Sequence, residues 1–159
     1  MDVRPFVKAL IMNIRIAQTG DVDSLVAFNQ AMAIETEGKT LSPKTLSSGV
    51  KAVFADERKG FYVVAENENG IVGGLMVTYE WSDWRNGWFW WIQSVFIRPE
   101  ARGQKLYSRM YEFVKAQAAV TGNVRGFRLY VENDNDHARR VYDAVGMKAS
   151  HYLMYEEEV

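Results

Sequence analysis

The stretch Val95 to Tyr107, VFIRPEARGQKLY, reads as the close of a strand, a break, and the entry to a helix. Val95, Phe96 and Ile97 are apolar strand residues, and Pro99, with no N–H to give to a ladder, takes the chain out of the sheet. Past the basic turn at Arg102 and Gly103, Leu106, Met110, Phe113, Val114 and Ala118 recur at spacings of three and four. That spacing predicts a helix from about Gly103 to Val120 with one buried face. The first N–H groups of a helix lack intrahelical acceptors and lie at the positive end of its dipole, so the junction suits an anion, phosphate above all. Taken alone, an arginine and a glycine at such a turn serve packing and charge balance equally well.

Working upstream, Asn13 to Ala17 alternates polar and apolar residues as a first strand, and Asp21 stands where it would cap a helix carrying Val22, Leu25, Val26 and Phe28. Ser42 and Pro43 open a second helix with Leu46, Val50, Val53 and Phe54 on its buried face. Phe61 to Glu66 and Ile71 to Glu80 read as strands joined around Asn69 and Gly70, and Asn86 and Gly87 offer a second tight turn into a strand from Trp88 to Ile97. Downstream, Phe127 to Val131 reads as a short strand, Asn135 to Val145 as a helix stopped by Gly146, and Met147 to Tyr155 as a last strand. The order β-α-α-β-β-β-α-β-α-β describes an α/β fold with a mixed, mostly antiparallel sheet and helices on both faces.

A chain of 159 residues suits a single domain over 1–159, with residues 1–12 as an N-terminal extension. A net charge of -1 supplies no general attraction for nucleic acid or an anionic membrane, so any anion site is local. With no cysteine, thiol nucleophiles, disulfides and cysteine-ligated zinc are excluded. The opening MDVRPFVKALIM is too short to span a membrane and has no cleavage signal, and the expectation is a soluble cytoplasmic protein. ENDNDHARR from Glu132 lacks the glycine of a calcium loop, and His137 and His151 have no ligand spacing, so no metal is expected.

The segment Tyr130 to Met147, YVENDNDHARRVYDAVGM, spaces Asn135, Ala138, Tyr142 and Gly146 as N, two residues, A, three residues, Y, three residues, G. Together with the strand, proline and RG turn upstream, it resembles the GNAT superfamily of acetyl-coenzyme A dependent N-acetyltransferases, whose element order the chain follows from about Asn13 onward. The resemblance implies that the backbone of Val95, Phe96 and Ile97 pairs with the pantetheine arm, on a strand splayed by a bulge. It implies a pyrophosphate loop at Arg102, Gly103, Gln104, Lys105, Leu106 and Tyr107. Arg102 matches the family's pattern there, whereas Lys105 and Tyr107 stand where small residues are usual. If position 105 lies in the first helical turn it does not need a positive φ, and the lysine side chain crowds the phosphates while its charge attracts them.

By the same resemblance Tyr142 protonates the leaving thiolate and also touches the cofactor, as does Asn135, a residue type that otherwise caps the last helix. The reaction implied is direct attack of a neutral amine on the thioester. A base must take the amine proton, directly or through water, and by residue type the candidates are Glu35, Glu37 and Glu80, with Glu80 read as catalytic and Glu35 and Glu37 as acceptor-side residues. Strand alternation puts Trp88, Trp90 and Ile92 on one face of the aromatic hairpin and Phe89, Trp91 and Gln93 on the other. One of these faces, with Gln93 or with Trp81, lines an acceptor pocket for a small-molecule or peptide amine, or a homodimer interface. Trp81 and Trp84, with Asp83 or Glu80, form a second arrangement for a cationic amine. Two alternatives remain open in the sequence: a non-catalytic coenzyme A binding or regulatory module, and transfer of a longer acyl group.

Overall fold

In the computed structural model, which describes residues 11–159, every strand of the sheet lies beside its predecessor in the chain. The strands β1 (Asn13–Ile16), β2 (Phe61–Asn67), β3 (Gly70–Ser82) and β4 (Gly87–Ile97) are antiparallel, and β5 (Val124–Arg128) adds to β4 in parallel. The sheet is mixed α/β, as its element order predicts. Residues 11 and 12 aside, the N-terminal extension read from 1 to 12 lies outside the described residues.

The helices are α1 (Val22–Glu37), α2 (Pro43–Ala55), α3 (Leu106–Thr121) and α4 (Asp136–Ala144). The Ser42 hydroxyl accepts from the Thr45 N–H ahead of Pro43, the expected entrance to α2. Asp21 precedes α1 without capping it. Its carboxylate instead accepts from the Arg15 guanidinium at 2.7 and 3.1 Å and from the Gln18 N–H at 2.7 Å. Arg15 holds the Asp21 carboxyl below the usual range, against the opposing effect of burial.

Adjacent glycines show which helix covers which face. A Cβ on Gly73 would sit 3.5 Å from Leu106 of α3, and one on Gly74 would sit 3.1 Å from Leu25 and 3.4 Å from Phe28 of α1. Because consecutive strand residues point to opposite faces, α1 and α3 lie on opposite sides of the sheet. Ala17, Val22, Leu25, Val50, Tyr62 and Val64 form the core beneath α1 and α2, while Leu75, Val77, Met110 and Val114 are fully buried.

The boundaries differ from the sequence reading in several places. The β2–β3 turn is Glu68 and Asn69, and Gly70 is already paired, opposite Asn67. The fifth strand runs 124–128 rather than 127–131, because its register is set by pairing with Trp88–Trp91. Helix α3 starts at Leu106 rather than Gly103, since Gly103 (φ 76°) and Lys105 (φ 55°) have left-handed backbones.

The described residues divide into two compact units between Leu129 and Tyr130. The second unit holds α4, stopped by Gly146 at φ 91°, where the Met147 N–H donates to the Tyr142 carbonyl. The expected last strand, Met147 to Tyr155, is not formed. A strand exists only where a neighbour takes its backbone hydrogen bonds, and every ladder among the described residues lies within β1 to β5. Among the described residues no helix is long and apolar enough to cross a membrane, and no cluster of side chains is suited to a metal ion.

Candidate functional site

The register between β3 and β4 breaks where the sequence placed the end of a strand. Gly74 opposes Phe96 and Met76 opposes Gln93, so Leu75 alone faces both Ser94 and Val95. This is a β-bulge, and Ser94 carries it with a left-handed φ of 52°. On the other edge, β5 covers β4 only from Trp88 to Trp91. From Ile92 to Ile97 the strand therefore has β3 on one side and, among the described residues, no strand neighbour on the other. Its outward N–H and C=O groups can pair with an extended ligand.

The chain leaves this notch through a 3-10 turn at Pro99–Ala101 and reaches α3 through Arg102 to Lys105. The N-cap residue of α3, Lys105, makes no side-chain cap bond. Lys105, left-handed at φ 55° and ψ 30°, is followed by the right-handed Leu106, a pairing that turns successive N–H groups toward one point. A helix start without that cap and such a nest are geometry suited to an anion. Leu106 and Tyr107 are buried, Tyr107 stacked on Tyr111 with centroids 6.0 Å apart, so both offer backbone rather than side chain to the loop. That burial explains how a tyrosine is accommodated where a small residue is usual.

Lys105 corrects the reading that position 105 needs no positive φ. A left-handed conformation costs a non-glycine residue roughly 1–2 kcal/mol, partly offset by the roughly 0.5–1 kcal/mol of extra entropy glycine loses on folding. Lys105→Gly is thus expected to raise the melting temperature by about 2 °C in a thermal melt. A fall would mean that the lysine side chain holds the turn.

Arg102, at the head of the loop, is not free for a ligand as it stands. Its Nε donates to the Ile97 carbonyl at 2.8 Å, and one Nη lies 2.9 and 3.0 Å from the two oxygens of Glu35. Glu37, two residues on, pairs with Lys39 at 2.8 Å. The structure brings Glu35 to the loop and gives Glu37 a partner of its own.

The hairpin residues sort by face as alternation requires. Glu80 stands opposite Phe89, on the face of Trp91 and Gln93. Its Oε2 accepts from Arg128 at 2.6 Å and from the Trp91 indole at 3.3 Å, while the Arg128 guanidinium lies 3.7 Å from the Phe89 ring centroid. Gln93 donates to the Thr78 hydroxyl at 2.6 Å. Trp81 points to the other face and meets Trp88 edge-on at 4.9 Å, so Glu80 and Trp81 do not line one pocket. Trp84 is exposed at the turn. Sequence reasoning missed Arg128 and Thr78. No local signal marks Arg128, because it reaches Glu80 only through the parallel pairing of β5 after the helical crossover.

In the second unit, Asn135 caps α4, its side-chain oxygen accepting from the Ala138 N–H at 3.1 Å. Tyr142 lies about two turns further along the same helix. Burial pushes its phenol up, which keeps it protonated and a hydrogen-bond donor at neutral pH.

Residues 28–147 match the model of the Acetyltransferase (GNAT) family, a span that crosses both units. The chain is similar to a possible acetyltransferase from Clostridium difficile 630, at 43% identity and a TM-score of 0.86, covering 94% of this chain and 98% of that one. It also resembles a predicted acetyltransferase with acetyl-CoA from Clostridium acetobutylicum, at 20% identity and a TM-score of 0.76, covering 92% and 96%. A transcriptional regulator from Bacillus halodurans C-125 shares the fold at 24% identity and a TM-score of 0.78, covering 93% and 100%. No curated protein matches the chain.

Proposed function

The chain belongs to the GNAT acetyltransferase family, and on that premise we propose that it transfers the acetyl group of acetyl-coenzyme A to a primary amine of a small molecule or peptide. The observation that carries this reading is the bulge at Ser94 and Val95, leading from a half-paired strand into the start of α3. The pantetheine amides pair with the backbone of Val95, Phe96 and Ile97. The pyrophosphate takes the N–H groups from Gly103 to Tyr107, with Gln104 and the Lys105 ammonium at its edge. The whole of 1–159 acts as one catalytic domain, consistent with a family match that spans both units.

The neutral amine attacks the thioester carbonyl. A C–N bond forms, the carbonyl electrons move to oxygen, and a backbone N–H beside the bulge steadies that charge. On collapse the C–S bond breaks, Tyr142 gives its phenolic proton to the departing thiolate, and Asn135 caps the opposite, N-terminal end of the helix that carries Tyr142. The amine loses its extra proton to Glu80, directly or through water. The pairing of Glu80 with Arg128 and Trp91 fixes its orientation, and Gln93 lines the same face. The exposed edges of Trp81 and Trp88, on the opposite face, are where a homodimer would form.

The direct test is thiol release from acetyl-coenzyme A across a panel of primary amines, run beside a thermal shift with the cofactor. Amine-dependent release with a raised melting temperature is the expected outcome. Binding with no turnover on any amine would instead favour a coenzyme A binding module. Glu80→Gln is expected to lower kcat by about 10²-fold while the coenzyme A dissociation constant holds. Full activity at every pH would remove Glu80 as the base.

A further inference from the structure

The Arg102–Glu35 pair joins the last turn of α1 to the loop proposed to hold the cofactor pyrophosphate, and it occupies the side chain best suited to that anion. Both side chains are 44% exposed, so the pair is solvated and readily exchanged. Arg102 has three engagements at once: its Nε donates to the Ile97 carbonyl at 2.8 Å, an Nη is forked onto the Glu35 carboxylate, and its guanidinium carbon lies 5.6 Å from the Phe96 ring centroid. Ile97 and Phe96 belong to the half-paired end of β4. Arg102 therefore lies across the strand end and the loop together, held there by Glu35.

We infer that Glu35 is a positioning residue, a counter-ion that Arg102 exchanges for the pyrophosphate when the cofactor enters. This rests on the reading of Arg102 to Tyr107 as the pyrophosphate loop. A diphosphate carries more negative charge than one carboxylate and accepts two parallel N–H bonds from a guanidinium, so it displaces Glu35 rather than sharing the arginine with it. The exchange uncovers the Ile97 carbonyl for the pantetheine arm and releases the Glu35 carboxylate at the C-terminal turn of α1. Breaking the pair opposes cofactor binding by the worth of the pair, and removing Glu35 removes that opposition.

The test is a double-mutant cycle read by calorimetry with coenzyme A itself: wild type, Glu35→Gln, Arg102→Gln and the double variant. Glu112→Gln, which removes one carboxylate paired with Lys115 on the surface of α3, serves as the control for net charge. Glu35→Gln is expected to tighten the coenzyme A dissociation constant about threefold to fivefold, the range of an exposed ion pair. The gain should vanish in the Arg102→Gln background and be absent in Glu112→Gln. An unchanged or weaker affinity in Glu35→Gln, or an equal gain in both Arg102 backgrounds, would overturn the exchange while leaving the cofactor site standing. Failure of every form, wild type included, to bind coenzyme A would overturn the pyrophosphate loop and the exchange with it.

Discussion

Gly60→Ala is expected to cost about 3–5 kcal/mol of stability, a loss that a single added methyl group seldom causes. Gly60 follows the 3-10 turn Glu57–Lys59 and delivers the chain into β2, with φ 126° and ψ -160°. An L side chain is strained at that φ whatever the space around it. The space is also missing: a Cβ there would fall 1.9 Å from the Val77 carbonyl oxygen, 3.0 Å from its carbon and 3.3 Å from the Thr78 Cα. All of these are backbone atoms of β3, and no rotamer change can move them. Relief requires parting β2 from β3 where Phe61 pairs with Val77, beside the fully buried Val63 and Leu75. In a thermal melt the midpoint should fall by about 10 °C, at roughly 2–4 °C per kcal/mol for a chain of this size. A midpoint within about 2 °C of wild type would show that the two strands part there at little cost.

Tyr142→Phe is expected to lower kcat by about 10³-fold, within the range a positioned general acid supplies. Phenylalanine keeps the ring and its packing on α4, so the main loss should fall on kcat and exceed any change in the coenzyme A dissociation constant. Because burial raises the phenol above its ordinary value near 10, the proton-donating form persists throughout the neutral and mildly alkaline range. The wild-type rate should therefore show no loss from Tyr142 deprotonation below about pH 10. Steady-state thiol release as a function of pH measures both effects. An unchanged kcat in Tyr142→Phe would give the leaving group's proton to another donor.

The junction from β4 to α3 is legible in the chain because each of its signals is local. Pro99 ends the strand, and the three-and-four spacing from Leu106 reports the buried face of α3. Asn135 reads as a cap by residue type and sits in that position. What the sequence hides is pairing. The bulge at Ser94 and Val95 is a mismatch between two strands, expected from the family resemblance and announced by no residue in either strand. The alternation from Met147 to Tyr155 suits a strand, but alternation says nothing of whether a neighbour is there to receive it. Lys105 misleads for a related reason: its left-handed backbone is imposed by the turn from Gly103, at a residue type that seldom adopts it. The roles of Glu35 and Arg102 depend on a side-chain contact across 67 positions of chain, beyond any local pattern.

The unpaired run of β4 has a consequence for how the protein persists when its ligand is scarce. Along Ile92–Ile97 no strand among the described residues pairs with that edge of β4, and a ligand lying there completes the ladder as a further strand would. If acetyl-coenzyme A occupies the edge as proposed, the folded state deepens with the ligand's free concentration, by about 2.7 kcal/mol at a hundredfold excess over its dissociation constant. The lifetime of the chain against unfolding and proteolysis then tracks the supply of its own cosubstrate.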